Sequence, residues 1–371
     1  MAGRIVVFGA TGYTGRLTAE ALVERGQRPV LAGRDGPRLE ALASELGGGL
    51  DTAVADVSRP ESVTALVEQG DALVATVGPF VKWGDAAAEA AIAKRAHYLD
   101  STGEPPFIRR VFERYSAQAE AAGVGMVTAF GYDWVPGNLA AALALRDAGE
   151  EAVRVDVGYF VTGTGAAGPG SFSGGTKASL AGVIAEPAFA FRDGAVRTVR
   201  TADRYRTFAL RGRELPAVAV GASEHFGLPP AYPRLTEVNA YLGWFGPLSR
   251  PVQAFSLVGA GMAKIPGARS LSANLAGRLV RGSTGGPGGE QRARSGSYIL
   301  AEAYNAGGAR LAEAHLTGVD PYTFTAGILA WGARRAAEDG MLASGALGPV
   351  GAFGLDELEA GCREAGLTRA S

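Results

Sequence analysis

Two sets of residues in this chain have types and spacings suited to chemistry. The first is Gly9-Ala10-Thr11-Gly12-Tyr13-Thr14-Gly15, which follows directly on the apolar run that ends at Phe8. Glycine at 9 allows a tight exit from a strand. At 12 it lets backbone approach a phosphate closely, and at 15 it lets a helix pack near the strand. A helix starting there offers N–H groups and the positive end of its dipole to an anion. The second set is suited to proton transfer and charge stabilisation. Tyr98, Glu104 and Asp133 are the candidate acids and bases, and Lys82 is a cation for a carboxylate or phosphate. Trp134, Asn138 and Lys177 are candidate substrate contacts.

These groups need a frame that brings them to one edge. Arg4 to Phe8 is a short β-branched run and reads as a buried strand. Helical spacing runs from Arg16 to Arg25, and Pro29 to Ala32 is a second strand ending in Gly33-Arg34. Further strands are expected at Leu50–Val57, Asp71–Val77, Ala96–Asp100 and Val124–Phe130. Helices are expected at 37–46, 85–95, 105–122 and 136–148. Six strands alternating with helices predict an α/β fold, a Rossmann doubly wound parallel sheet, for residues 1–150. Its carboxyl edge gathers Val77-Gly78-Pro79-Phe80, Tyr98 to Glu104 and Tyr132 to Asn138.

The cofactor follows from the end of the second strand. An acidic residue there would bond a ribose 2′-hydroxyl, but Arg34 stands there instead, with Arg38 a helical turn on. A planar guanidinium suits a 2′-phosphate, so NADP(H) is expected. Asp35 has the alternative task of capping the next helix. Asp56, at the tip of the third strand, is expected either at the adenine edge or as a cap. The expected cofactor contacts are Gly9, Thr11, Gly12, Tyr13, Thr14, Gly15, Arg34, Asp56, Val77, Gly78, Pro79 and Phe80.

Composition bounds the remaining choices. The chain has 371 residues, 47% hydrophobic and 20% charged, with net charge −1. That charge gives no electrostatic footprint for nucleic acid. One cysteine, Cys362, leaves no internal disulfide, and His97, His225 and His315 show no metal-ligand spacing. No metal is expected. No run approaches the ~18 apolar residues of a membrane span. A first strand at Arg4 leaves no room for a leader, so a cytoplasmic protein is expected.

Four stretches occur in an order that resembles the saccharopine dehydrogenase-like oxidoreductases, a family that includes trans-acting enoyl reductases. They are Gly9 to Gly15, Gly78-Pro79-Phe80, Tyr98-Leu99-Asp100-Ser101-Thr102-Gly103-Glu104, and Gly131-Tyr132-Asp133-Trp134-Val135-Pro136. The resemblance covers residues 4–145 well and is looser beyond. It implies NADP(H) on the Rossmann half and an active site in the cleft to a second domain. It also implies reduction of a C=N or conjugated C=C bond. Enoyl-reductase members often carry serine where Trp134 and Gly137 stand here, and this departure leaves the substrate open.

From Ala152 the pattern changes. Short alternating strands at 153–161, 196–201, 204–210, 217–221 and 234–241 predict a second, α+β domain over 151–318. Its sheet is expected to be mostly antiparallel and to serve substrate binding and homodimer formation. A strand pair at 292–305 and 309–317 completes it. Residues 319–371 are expected to be helices packing back on the first domain, with 341–353 a loop. Lys177 follows a Gly/Ser-rich loop at a helix start. The apolar 245–280 stretch reads as buried against the sheet, or else as a lid, an interface or an acyl pocket.

The expected function is NADPH-dependent hydride transfer to a polarised double bond, imine or conjugated alkene, of a small-molecule or carrier-linked substrate. The lack of a lysine four residues after Tyr98 or Tyr132 argues against short-chain alcohol dehydrogenase chemistry. A non-catalytic NADP(H)-binding regulatory or interaction protein is the alternative. A membrane-surface protein using residues 245–280 is the third reading.

Overall fold

The computed structural model of the protein describes residues 3–163, 188–210, 212–244, 246–262 and 285–370. Lys177, the Gly/Ser-rich loop around it and residues 263–280 of the apolar stretch lie outside the described residues. The chain divides into two units. The first comprises Met1–Thr102, Phe107–Val135 and Pro321–Leu367; the second comprises Gly103–Pro106, Pro136–Asp320 and Thr368–Ser371.

In the first unit β1 (Ile5–Phe8), β2 (Val30–Gly33), β3 (Thr52–Val54), β4 (Ala72–Ala75), β5 (His97–Asp100) and β6 (Gly125–Val127) form one parallel sheet. A seventh strand, Gly345–Ala346, adds beside β6, giving the order Gly345–Ala346, β6, β5, β4, β1, β2, β3. The registers Val7↔Leu31 and Val7↔Val74 put β1 between β2 and β4. The runs IVVF, VLAG and ALVA are buried at every position. Continuous apolar strands of this kind are expected of a parallel sheet covered on both faces. Pro321–Asp339 is one covering helix, with Phe324, Ile328, Leu329 and Trp331 buried. Trp331 meets Phe353 edge-on at 4.9 Å and stacks near Phe130 at 6.5 Å.

Some elements differ from the sequence expectation. The strand expected at Leu50–Val57 is only Thr52–Val54, and that at Val124–Phe130 is only Gly125–Val127. The 105–122 helix contains a π turn at Val111–Tyr115. Residues 341–353, expected as a loop, hold the seventh strand and the helix Pro349–Phe353.

The second unit holds a nine-stranded mixed sheet. Its strands are β7 (Arg154–Gly163), β8 (Ala188–Arg192), β9 (Ala195–Val199), β10 (Tyr205–Leu210), β11 (Arg213–Val220), β12 (Glu237–Leu242), β13 (Ser295–Tyr304) and β14 (Arg310–Gly318). The C-terminal strand Leu367–Arg369 completes the order β10, β11, β12, β7, β13, β14, Leu367–Arg369, with β8 and β9 to one side. Among β7 to β14 the pairing is antiparallel except between β12 and β7. One face carries a charge ladder in which Arg206 bridges Asp156 and Glu302. Burial raises the Asp156 carboxyl, while Arg206, Asn239 and Arg154 oppose that shift. Among the described residues no helix is long and apolar enough to cross a membrane.

Candidate functional site

The glycine turn is built around β1. Gly9 takes φ +97°, a conformation that side chains rarely adopt. Gly9 N and Ala10 N donate to Ala32 O at 2.8 and 3.1 Å, which ties the turn to β2. Gly12 N donates to Gly9 O at 2.9 Å. A Cβ at Gly9 would lie 2.6 Å from Thr76 Oγ1. One at Gly15 would lie 2.2 Å from Gly9 O and 2.7 Å from Thr76 Oγ1. Gly12 is different: it is exposed, and its Cβ would meet only Gly9 O, at 3.2 Å. Helix Tyr13–Glu24 begins immediately after, with no side chain capping it. Two glycines therefore seat the helix and one leaves an open approach, which fits a pyrophosphate cradle. Thr11, Tyr13 and Thr14 are half-buried at this turn, and Tyr13 packs edge-on to Tyr322 at 5.2 Å.

Arg34 and Arg38 are exposed beyond the end of β2. Asp35 caps helix Gly36–Glu45 by accepting from Arg38 N at 3.1 Å. Asp56 turns onto its own loop, accepting from Ser58 N and Ser58 Oγ, both at 2.8 Å. Those bonds hold its carboxyl below the usual range, with Arg34 and Arg59 adding to the effect. After β4, Val77 is half-buried and Gly78 and Pro79 are exposed. Phe80 instead turns into the core, 5.6 Å from Phe107. Lys82 is exposed and lies 4.3 Å over the Trp83 ring.

The ends of β5 and β6 carry the acid–base candidates of the first unit. Tyr98 is wholly buried in the core, and burial pushes its hydroxyl well above the ordinary value. Asp100 is also wholly buried. Its Oδ1 accepts from Thr102 N at 2.8 Å and Ala129 N at 2.9 Å, and its carbonyl accepts from Phe130 N at 2.7 Å. Burial still pushes this carboxyl up to about 6. Ala129 has φ +58°, left-handed for a non-glycine residue. Tyr132 N donates to Thr325 Oγ1 at 3.0 Å, and a Cβ on Gly131 would lie 2.9 Å from Thr325 Cγ2. Trp134 N returns to Ala129 O at 2.9 Å. This tight turn presents Asp133, a half-buried residue whose Oδ1 is buried without a hydrogen-bond partner among the described residues. Burial pushes its carboxyl up to about 7. A carboxyl titrating there is divided between its protonated and ionised forms near neutral pH and can give up a proton.

Glu104 and Asn138 belong to the second unit and are both buried. Asn138 Nδ2 donates to Ser223 Oγ at 3.0 Å. Beside it, Gly137 N donates to Tyr159 Oη at 2.8 Å, and Tyr159 Oη donates to Glu224 Oε1 at 2.5 Å. A Cβ on Gly137 would lie 2.0 Å from that hydroxyl and 2.3 Å from Glu224 Oε1. Gly137→Ala should therefore lose about 1–3 kcal/mol of stability, since a buried tyrosine must move. A denaturant midpoint unchanged from wild type would contradict that expectation. Among the described residues no group of three His, Cys, Asp or Glu is placed to hold a metal.

Ala129, Thr325, Tyr159 and Glu224 were not expected from sequence. Nothing in an alanine codes for a left-handed residue, and Thr325 lies in a helix almost two hundred positions from the turn it supports.

Residues 5–127 match the saccharopine dehydrogenase NADP binding domain family. A putative trans-acting enoyl reductase of Mycobacterium tuberculosis is 36% identical over 187 residues, covering 48% of this chain and 44% of that protein. A trans-acting enoyl reductase of Mycobacterium leprae is 37% identical over 140 residues, covering 36% of this chain and 34% of that protein. The matched region thus spans less than half the length of these relatives. Among solved structures, saccharopine dehydrogenase (L-Glu forming) from Saccharomyces cerevisiae aligns with TM-score 0.58 and 14% identity, covering 100% of this chain and 99% of that one. The homospermidine synthase of Legionella pneumophila, in complex with NAD, aligns with TM-score 0.59 and 10% identity, covering 100% and 92%. At those identities the structures show a shared fold.

Proposed function

From the premise that residues 5–127 are an NADP binding domain of the saccharopine dehydrogenase family, we propose that the protein is an NADPH-dependent reductase of a polarised double bond. The proposed acceptor is a conjugated C=C of a carrier-linked acyl group or a C=N of a small molecule. The enoyl relatives support the first acceptor, and the shared fold is compatible with either. A cytoplasmic homodimer is part of the same reading.

The bound cofactor would supply the hydride. In this reading the chain's residues do the rest. Gly9, Gly12, Gly15 and the start of helix Tyr13–Glu24 hold the pyrophosphate. Arg34 and Arg38 meet the 2′-phosphate as exposed cations. Val77, Gly78 and Pro79 lie at the carboxyl end of β4, where such sheets place the nicotinamide ribose. Asp133 is the proton source. The observation that carries the catalytic reading is the Asp133 carboxyl oxygen Oδ1, buried without a hydrogen-bond partner among the described residues in a turn at the sheet's carboxyl edge, with burial raising the carboxyl to about 7. A purely cofactor-sensing protein needs no such group. Tyr98, with its hydroxyl buried in the core, has a smaller part than Asp133 in this reading.

The test begins with cofactor fluorescence. Wild type is expected to bind NADPH in the micromolar range and NADH more weakly. Arg34→Ala should weaken NADPH about 10–100-fold, the value of a charge-assisted contact to phosphate, and leave NADH nearly unchanged. Equal loss for both nucleotides would place Arg34 outside the 2′-phosphate site. Single-turnover oxidation of bound NADPH is then followed against enoyl thioesters and cyclic imines. Tight NADPH binding with no turnover on either class would favour the non-catalytic alternative.

A further inference from the structure

The proton-donor reading leaves open what holds Asp133 in place. We infer that Asp100 is a positioning residue: by fixing the backbone of Ala129 and Phe130 it sets the turn that keeps Asp133 Oδ1 out of water. The inference rests on the proposed role of Asp133 for its functional meaning, but its geometry stands within the first unit alone.

Asp100 closes β5 and is wholly buried. A charged side chain there is disfavoured unless its hydrogen bonds repay the desolvation. Its contacts are local and directed. Oδ1 takes the N–H of Thr102 and the N–H of Ala129, at 2.8 and 2.9 Å. The main chain of the same residue takes the N–H of Phe130 at 2.7 Å. One residue thus fixes two consecutive amides of the next strand end. Between them lies Ala129 at φ +58°, a conformation costing an alanine about 1 kcal/mol or more. The bond from its N–H to Asp100 offsets that cost. The carbonyl of Ala129 then accepts from Trp134 N at 2.9 Å, and Gly131 O accepts from Val135 N at 3.0 Å. Asp133 lies inside both closures. Thr325 Oγ1 accepts from Tyr132 N at 3.0 Å, so the turn has a second clamp.

The groups that act on the Asp100 carboxyl are these two N–H groups and the hydroxyls of Thr128 and Tyr98; all four favour its ionised form. Among the described residues no charged side chain contributes to the shift of Asp133, which burial raises. An asparagine at position 100 can keep Oδ1 as acceptor for both amides. Its Nδ2 would stand in place of Oδ2, which among the described residues is buried without a hydrogen-bond partner. An alanine cannot keep the acceptor and leaves two buried N–H groups unmatched. The important property is therefore the acceptor, not the charge.

The test reads the Asp133 carboxyl directly. Full-length protein is labelled at aspartate carboxyl carbons and titrated by carbon-detected NMR, with Asp133→Asn identifying the resonance. Wild type is expected to show a midpoint raised far above that of an ordinary aspartate. Asp100→Asn should stay close to wild type. Asp100→Ala should drop by about one pH unit or more, as water reaches the loosened turn. NADPH binding should stay within about twofold throughout, because the glycine turn lies on other strands. Asp100→Ser, whose shorter hydroxyl reaches fewer donors, serves if the alanine variant does not fold, and should show the same downward shift. A midpoint unmoved in Asp100→Ala or Asp100→Ser, with thermal stability alone reduced, would overturn the inference and leave Asp100 merely structural. This readout needs no substrate. It therefore fails or succeeds separately from the reductase reading, which falls if NADPH is never oxidised.

Discussion

Replacing Gly15 by alanine is expected to abolish useful NADPH binding, weakening it at least about 100-fold, or roughly 3 kcal/mol. The added Cβ would sit 2.2 Å from the Gly9 carbonyl oxygen and 2.7 Å from Thr76 Oγ1. A backbone oxygen cannot swing aside as a side-chain end can. Gly9 is itself pinned by its N–H to Ala32 O at 2.8 Å, so the helix start must give way. Moving the helix start by even about 1 Å withdraws the N–H groups of its first turn from the phosphate position, and such misplacement is disproportionately costly. Overpacking should also lower stability by about 1–3 kcal/mol. Gly12→Ala is the control. Its Cβ meets only Gly9 O, at 3.2 Å, and the residue is exposed. The fold should survive almost unchanged while NADPH weakens, because the methyl occupies the approach itself. Fluorescence titration and denaturant midpoints measured together separate the two effects. A Gly15→Ala protein binding NADPH within threefold of wild type would falsify the assignment of this turn.

This turn was legible in sequence because each glycine answers a separate local demand within seven residues. The parallel sheet was legible for a similar reason: runs such as Ile5–Phe8 and Ala72–Ala75 are apolar at every position, as strands buried on both faces must be. The same uniformity hides which residues reach the edge. Tyr98 and Asp100 both lie on β5 and both are wholly buried, and no alternation between polar and apolar positions marks either as core. Phe80 follows a turn that reads as cofactor-facing. Its ring goes to Phe107, twenty-seven positions away, and only tertiary packing decides that. Asp56 had two possible tasks, and Ser58, two residues on, takes its carboxyl.

Short elements were the least legible. Gly345–Ala346 is a strand of two residues, too short to show any period, and it forms only because β6 leaves an edge to pair with. Ala129 gave no sign of its left-handed backbone, which its bond to Asp100 supports. By contrast, Asp133 was singled out from sequence by its place after β6. What sequence could not supply was its protonation state, which depends on burial created by the surrounding fold.

That protonation state makes Asp133→Asn the second decisive change. The substitution keeps size and shape while removing the transferable proton, so NADPH should bind as in wild type. Turnover should fall about 10²–10⁴-fold, the usual contribution of a positioned general acid. Wild-type turnover, if it draws its proton from this carboxyl, should decline as pH rises through about 7, and that limb should vanish in the variant. Wild-type stability should fall with rising pH as well, starting from a lower pH. The folded-state carboxyl titrates near 7, above the 3.8 of the unfolded chain. The wild type therefore holds this contribution in full below about pH 4 and loses it as pH rises to about 7. Complete burial would make the loss about 4 kcal/mol, and the partial exposure of the residue reduces that figure. Asparagine cannot ionise, so its stability relative to wild type should climb over the same interval. Denaturant midpoints at pH 4 and pH 8 check the sign. A variant that lost turnover but showed no relative gain between those pH values would have a different defect from the loss of a buried, neutral acid. One that gained stability yet kept full turnover would show that the proton comes from elsewhere, water being the first alternative.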